Sequence, residues 1–108
     1  MPIKHVVMFG FKPDALADDI KAFEQGLLGL PAQCPQILHY ELGNDLRLDS
    51  GLNHPLGPNR QMCWSVTCAT VEDYLIYNAS EPHKAVLQLV KPILAPGTRA
   101  AVQYEITV

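Results

Sequence analysis

The apolar positions of the first third of the chain change from one periodicity to another. The segment IKHVVMFGF is rich in β-branched and aromatic residues and predicts a strand from Ile3 to Phe11. In KPDALADDIKAFEQGLLGLP the apolar residues instead recur every three or four positions, which predicts a helix. Asp14 or Asp18 can cap the start of this helix, and Pro31 is expected to end it. Its apolar stripe consists of Leu16, Ile20, Phe23, Leu27 and Leu30.

Two further strands and a long loop follow. QILHYELGNDL predicts a strand over residues 37–46, and QMCWSVTCAT predicts another over residues 61–70. Between them, RLDSGLNHPLGPNR contains the Gly, Pro and Asn residues typical of a loop, from Arg47 to Arg60.

The last part of the chain predicts a broken helix and a final strand. Thr70 and Asp73 resemble a capping box before VEDYLIY, and the stretch from Asn78 to Pro82 interrupts the helix. Ser80 can cap a second helical piece, and RAAVQYEITV predicts the last strand. The buried stripe of the second piece is expected to contain Val86, Leu89, Val90 and Ile93.

The resulting order, β-α-β-β-α-β, is that of a ferredoxin-like α+β domain, and we expect one domain over residues 1–108. Two helices can cover only one face of a four-stranded sheet, while the strands are apolar on both faces. We assign Val7, Phe9, Trp64 and Val66 to the uncovered face. A second copy of the chain would cover them in a twofold dimer, and the alternative is that the long loop folds over the sheet of a monomer.

Composition limits the classes of binding partner and the cellular compartment that fit this chain. The formal charge is −3 and there is no basic run, which argues against nucleic acid and anionic membranes. MPIKHVVMFGF has neither the charge pattern of a signal peptide nor the length of a membrane span. The three cysteines form no even framework, so we expect thiols in a reducing cytoplasm. Cys34, which precedes a proline, is the thiol that we expect to be accessible.

The segment YNASEPHKAV carries the strongest chemical signal, since it places His83 six residues after Tyr77. On a continuous helix these side chains would point about 120° apart, but the break allows the chain to bring both over one end of the sheet. In the first turn of a helix the dipole disfavours a protonated ring, and a neutral imidazole is what a general base requires. We therefore expect His83 within direct or one-water hydrogen-bond reach of His5 or Tyr77. The alternative is that His83 is an ordinary surface residue of the helix start.

His5 is the second histidine of interest because it shares a strand face with Val7 and Phe9. Such a histidine is usually a satisfied core residue or lies at a strand end, and it becomes functional only if a polar partner reaches it. His83 or Tyr77 is the candidate for that partner. The four histidines have no metal-ligand spacing, and no Gly-rich phosphate loop or Gly-x-Ser-x-Gly elbow occurs. We therefore expect neither a metal nor a cofactor.

The segments IKHVVMFGFKPDA, YELGND, VEDYLIYNASEPHKAV and LVKPIL resemble the stress-responsive A/B barrel (Dabb) domain over nearly the whole chain. The resemblance implies a dimeric α+β barrel. Characterised members include plant polyketide cyclases, which close a linear tetraketide by aldol condensation, and boiling-stable stress proteins without assigned chemistry. By this resemblance His83 would be the general base, Tyr77 would polarise or hold the substrate, and His5 would orient His83. Met62 stands where the cyclases have a further pocket histidine, and the loop from Arg47 to Arg60 is longer than theirs.

The sequence favours binding of a small apolar carbonyl compound in a pocket between sheet and helices as the leading function. Acid–base conversion of that compound, of a cyclase or lyase type, is a further hypothesis for the same pocket. One alternative is a non-catalytic stress or scaffold protein in which His5 and His83 serve packing. Another is a cofactor-free oxygenase, by analogy of fold alone. The first interpretation requires a cavity lined by His5, Tyr77 and His83, whereas the scaffold interpretation requires that region to be filled.

Overall fold

A computed structural model describes residues 1–107 and has a four-stranded antiparallel sheet in the order β2-β3-β1-β4. The predicted ferredoxin-like α+β fold is confirmed, with the second helix split in two as expected. The part of the chain described contains no helix that is both long and apolar enough to cross a membrane. The elements are β1 Ile3–Phe9, α1 Ala17–Gln33, β2 Ile37–Asn44, α2 Asp49–Leu52, β3 Met62–Cys68, α3 Val71–Asn78, α4 Glu81–Val90 and β4 Ala100–Glu105.

The helices cover the face of the sheet that we had expected to be open. Val7 pairs directly with Trp64 and His5 with Val66, so these side chains share one face. That face packs against helices α1 and α4 in a single core, which also contains Phe9. The assignment of Val7, Phe9, Trp64 and Val66 to the uncovered face was therefore wrong.

The open face of the sheet presents the opposite set of side chains. In β1 and β4 it carries Val6, Met8, Val102 and Tyr104, because Val6 pairs with Val102 and Lys4 pairs with Tyr104. In the isolated chain Met8 is 39% exposed, Val102 56% and Tyr104 46%. The open face thus holds exposed apolar side chains next to one another, although they are not the predicted ones.

The first helix packs closely on α4 through a glycine. Phe23, Leu27 and Leu30 of α1 are buried as predicted, whereas Leu16 is 65% exposed and lies before the helix. A Cβ atom on Gly26 would lie 3.0 Å from Cδ1 of Leu89. The two helices can approach this closely because position 26 has no side chain.

The predicted caps hold for the last two helices and fail for the first. The Thr70 side chain accepts a hydrogen bond from the Asp73 amide, and the Ser80 side chain accepts one from the His83 amide. The N-cap of α1 is Leu16, without a side-chain bond, and the helix continues past Pro31 to Gln33. Pro31 lies in the last turn of α1, two residues before its end, and removes one amide donor from the helix there.

Candidate functional site

A cavity of about 210 Å³ lies between the sheet and the helices, and we call it the inner cavity. It brings together His5 from β1, Tyr77 from the end of α3 and His83 from the start of α4, which are the three predicted site residues. Asn78 and Arg99 also border it. The rest of its wall is mainly apolar and includes Val7, Phe9, Phe23, Leu27, Val86 and Val90.

The break between α3 and α4 positions Tyr77 and His83. Ser80 donates a hydrogen bond through Oγ to the Tyr77 carbonyl (2.7 Å), and the same oxygen accepts one from the His83 amide (3.3 Å). The two rings then meet edge to face, with centroids 5.0 Å apart and planes inclined at 65°. One hydroxyl group therefore fixes the end of one helix and the start of the next.

His83 is half-buried and its pKa lies below the ordinary value. Burial is the main cause; the backbone of Asn78 acts in the opposite direction, and the charge of Arg99 lowers the pKa further. The imidazole is therefore neutral at pH 7, as a general base requires. Within residues 1–107, Nδ1 of His83 is buried without a hydrogen-bond partner, and no direct hydrogen bond joins His83 to His5 or Tyr77.

His5 is 7% exposed, and its ring lies 5.1 Å from that of Tyr74, centroid to centroid. Burial is the main cause that lowers the pKa of His5; Arg99 and His83 also lower it, and a hydrogen bond with Gln103 raises it. Its Nδ1 also lacks a hydrogen-bond partner among the described residues. We expected His83 or Tyr77 as the polar partner of His5, but no direct hydrogen bond joins either of them to His5 among the described residues, and Tyr74 packs against the ring instead.

Tyr77 is held by a residue that sequence reasoning assigned only to the core. Trp64 Nε1 donates a hydrogen bond to the Tyr77 hydroxyl oxygen (3.2 Å), and both residues are buried. Burial raises the pKa of Tyr77 to about 12, although the Trp64 bond acts in the opposite direction. The hydroxyl group therefore keeps its proton at neutral pH, and its oxygen is already engaged with Trp64, so the proton is available to an acceptor in the inner cavity.

Three further expectations from the sequence concern residues that do not line the inner cavity. Cys34 is 1% exposed and lies 3.6 Å from Ser80 Oγ, so the expectation of an accessible thiol was wrong. Met62 is buried in the core and does not border the inner cavity, and neither does the loop from Arg47 to Arg60. That loop contains the short helix α2, which we had not predicted.

In the described part of the chain, no group of three or more His, Cys, Asp or Glu residues could hold a metal ion.

Both imidazoles should make folding depend on pH. In the folded chain the pKa values of both imidazoles lie below the ordinary value of 6.5, so the unfolded chain binds more protons as pH falls through 6.5. We expect the free energy of unfolding to be highest above pH 7 and to decrease toward pH 5. Denaturant unfolding at pH 7.5 and pH 5 measures this, and a His5→Gln, His83→Gln double variant should flatten the dependence. Equal slopes for the double variant and the natural chain would contradict it.

Together the fold and the cavity define a ferredoxin-like α+β protein with a histidine-lined site between sheet and helices. Residues 3–106 match the family model of the Stress Responsive A/B Barrel Domain (Dabb). The chain belongs to this family, and the resemblance inferred from its segments is confirmed. No curated protein sequence matches the chain.

Several solved structures share the fold. A dimeric ferredoxin-like protein of unknown function from Thermobifida fusca is 25% identical, with a TM-score of 0.81 over 98% of this chain and 92% of that one. A hydroxynitrile lyase from Passiflora edulis is 18% identical, with a TM-score of 0.81 over 98% and 94%. A Dabb family protein from Mesorhizobium loti is 17% identical, with a TM-score of 0.72 over 99% and 98%.

Proposed function

We propose that the chain binds a small apolar carbonyl compound, or a compound that releases one, in the inner cavity and acts on it by acid–base chemistry. The observation that carries this proposal is the inner cavity itself, an apolar space into which β1, α3 and α4 bring His5, Tyr77 and His83. The pKa values of both imidazoles lie below the ordinary value, mainly because of burial, so neutral polar groups line an otherwise apolar space, as is typical of a site for a small ligand.

The size of the inner cavity supports a small ligand. An apolar cavity of about 150 Å³ in another protein holds benzene. At about 210 Å³, the inner cavity has room for a single ring or a short branched chain that carries one carbonyl group. A non-catalytic scaffold would be expected to fill this region with side chains, so the open space favours a ligand.

The neutral imidazole of His83 is the base in this proposal. It accepts a proton either from a carbon next to a carbonyl group or from the hydroxyl group of a hydroxynitrile. In the first case the electron pair of the C–H bond forms an enolate. In the second, the pair of the O–H bond forms a carbonyl group and cyanide leaves with the pair of the C–C bond. The likeness in fold to a hydroxynitrile lyase supports testing the second reaction.

Tyr77 is the hydrogen-bond donor in this proposal. Its phenol stays protonated, and Trp64 fixes its oxygen, so its proton can stabilise negative charge on a substrate oxygen. His5 borders the same cavity and binds a second polar atom of the substrate. Trp64 lines the inner cavity too, but its one polar group, the indole N–H, is bonded to Tyr77. Trp64 is therefore a positioning residue in this proposal.

We further infer that the chain forms a homodimer through the open face of its sheet. Val6, Met8, Val102 and Tyr104 form an apolar surface there, which a monomer would leave in water. The similar structures from Thermobifida fusca and Bacteroides fragilis are described as dimeric. Association of two such faces gives the twofold α+β barrel expected from the sequence.

Binding and proton transfer can be tested without knowing the natural substrate. Acetophenone in D₂O should shift the NMR signals of the His5 and His83 rings and should take up deuterium at its methyl group faster than in buffer. Ethylbenzene has the same apolar body without the carbonyl group, and it should enter the cavity without exchange. If neither compound moves either histidine signal, the scaffold interpretation replaces this one.

A further inference from the structure

A second depression, which we call the outer cleft, opens directly beside the inner cavity. Its volume is about 320 Å³, and it shares His5, Asn78 and Arg99 with the inner cavity. Tyr74 and Gln103 complete its polar lining, and Ala101 and Val102 supply its apolar part. Val102 also belongs to the surface proposed for the dimer, so the outer cleft lies at the edge of that surface. The two spaces therefore meet at three shared residues, with an apolar wall on one side and polar side chains on the other.

Arg99 is the cation at this junction. It immediately precedes β4, the strand that lies next to β1, and it is exposed. Within residues 1–107 the ion pairs are Arg47–Asp45 and Lys84–Glu81, and no acidic group pairs with Arg99. Arg99 thus lines both spaces without a counter-ion among the described residues.

The charge of Arg99 reaches both imidazoles and one tyrosine. Burial is the main cause that lowers the pKa values of His5 and His83, and Arg99 lowers both further. Burial raises the pKa of Tyr74, and Arg99 acts against that rise. The three groups face the junction from β1, α4 and α3. None of these groups carries a negative charge at pH 7. Among the described residues, Arg99 is the one Lys, Arg, Asp or Glu side chain that lines either space, and this arrangement suits an anion with an apolar body.

We propose that the natural ligand is a small amphiphilic carboxylate, whose carboxylate group lies in the outer cleft against Arg99 while its apolar part fills the inner cavity. This inference rests on the proposed function and specifies its substrate class. The guanidinium group can donate two parallel hydrogen bonds to a carboxylate, and the side-chain amides of Asn78 and Gln103 offer further donors. The reacting carbon or hydroxyl group would then lie between the carboxylate and the apolar end, next to His83.

Phenylacetate and phenylacetamide test this proposal because they share an apolar body and differ in charge. We expect the natural chain to bind phenylacetate about five- to tenfold more tightly in low salt, as measured by NMR titration of the histidine rings. Arg99→Gln should reduce the preference to less than about twofold, and Arg99→Lys should keep part of it. Arg47→Gln removes the same charge from a loop that borders neither space, so it should leave the preference unchanged.

The imidazole signals give a second readout that a purely structural role of Arg99 would not change. Phenylacetate should raise the pKa of His83 in the natural chain by neutralising the guanidinium charge, and it should have a much smaller effect in Arg99→Gln. Equal affinity for the two compounds, or an unchanged preference in Arg99→Gln, overturns the carboxylate assignment while the proposed function stands. If neither compound shifts His5 or His83, both proposals fail.

Discussion

Replacing Val102 by aspartate should convert the protein from a dimer to a monomer. In a twofold dimer through the open face, this substitution would bury two unpaired carboxylates, and breaking into monomers would return them to water. Sedimentation at micromolar concentration should show about twice the chain mass of 11.9 kDa for the natural protein and a single chain mass for the variant.

Ile76→Asp is a matched control for this experiment. Ile76 is 54% exposed in the isolated chain, close to the 56% of Val102, but it lies on α3 on the other side of the molecule's sheet. The Ile76→Asp variant should therefore sediment with the same mass as the natural dimer. A natural chain that sediments as a folded monomer would contradict the dimer, as would equal dissociation of both variants.

Replacing His83 by glutamine should remove most of the proton-transfer activity. A positioned general base contributes about 10²- to 10⁴-fold to rate, so deuterium exchange into acetophenone or cleavage of a hydroxynitrile should fall by at least about 100-fold. The free energy of unfolding should change by less than about 1 kcal/mol, because glutamine keeps a polar side chain of similar length at a half-buried position.

Lys84→Gln provides the comparison, since Lys84 follows His83 on the same helix and its side chain is exposed in an ion pair with Glu81. Its activity should match that of the natural chain. If His83→Gln retains activity but loses several kcal/mol of stability, then His83 serves packing and the general-base assignment is wrong.

The order of the elements could be predicted because it depends on local patterns. Periods of two and of three to four residues separate strands from helices, and Thr70 and Ser80 cap their helices through bonds to amides three residues on. Pro31 misled the prediction of a helix end, because tertiary packing carried α1 two residues further. Helix ends depend on packing as well as on sequence.

The covered face of the sheet could not be predicted, for a physical reason. Alternation shows which residues share a face, and it correctly grouped His5 with Val7 and Phe9. It does not show which face the helices cover when both faces are apolar, as in β1. That choice depends on how α1 and α4 cross the sheet, which is a property of the whole chain.

The site could be predicted only where its residues carry a local signal. The helix break at Ser80 pointed to Tyr77 and His83, and the strand pattern pointed to His5. Trp64 was missed as the partner of Tyr77 because their contact joins β3 to α3 across the core. Arg99 was missed because it is far from His5 in the sequence. It comes next to His5 only when β4 pairs with β1, and the local sequence does not show this pairing.

The bond pattern of Ser80 has a consequence for protein engineering. The base and the acid of the proposed reaction sit on separate helices, and their spacing is set by a short turn outside the cavity wall. Lengthening or shortening this turn would move His83 relative to Tyr77, and it would also move Val86 and Val90, which α4 contributes to the wall of the inner cavity. Catalytic geometry and ligand fit are therefore coupled through α4, whereas substitutions on the sheet side of the cavity would change the fit alone.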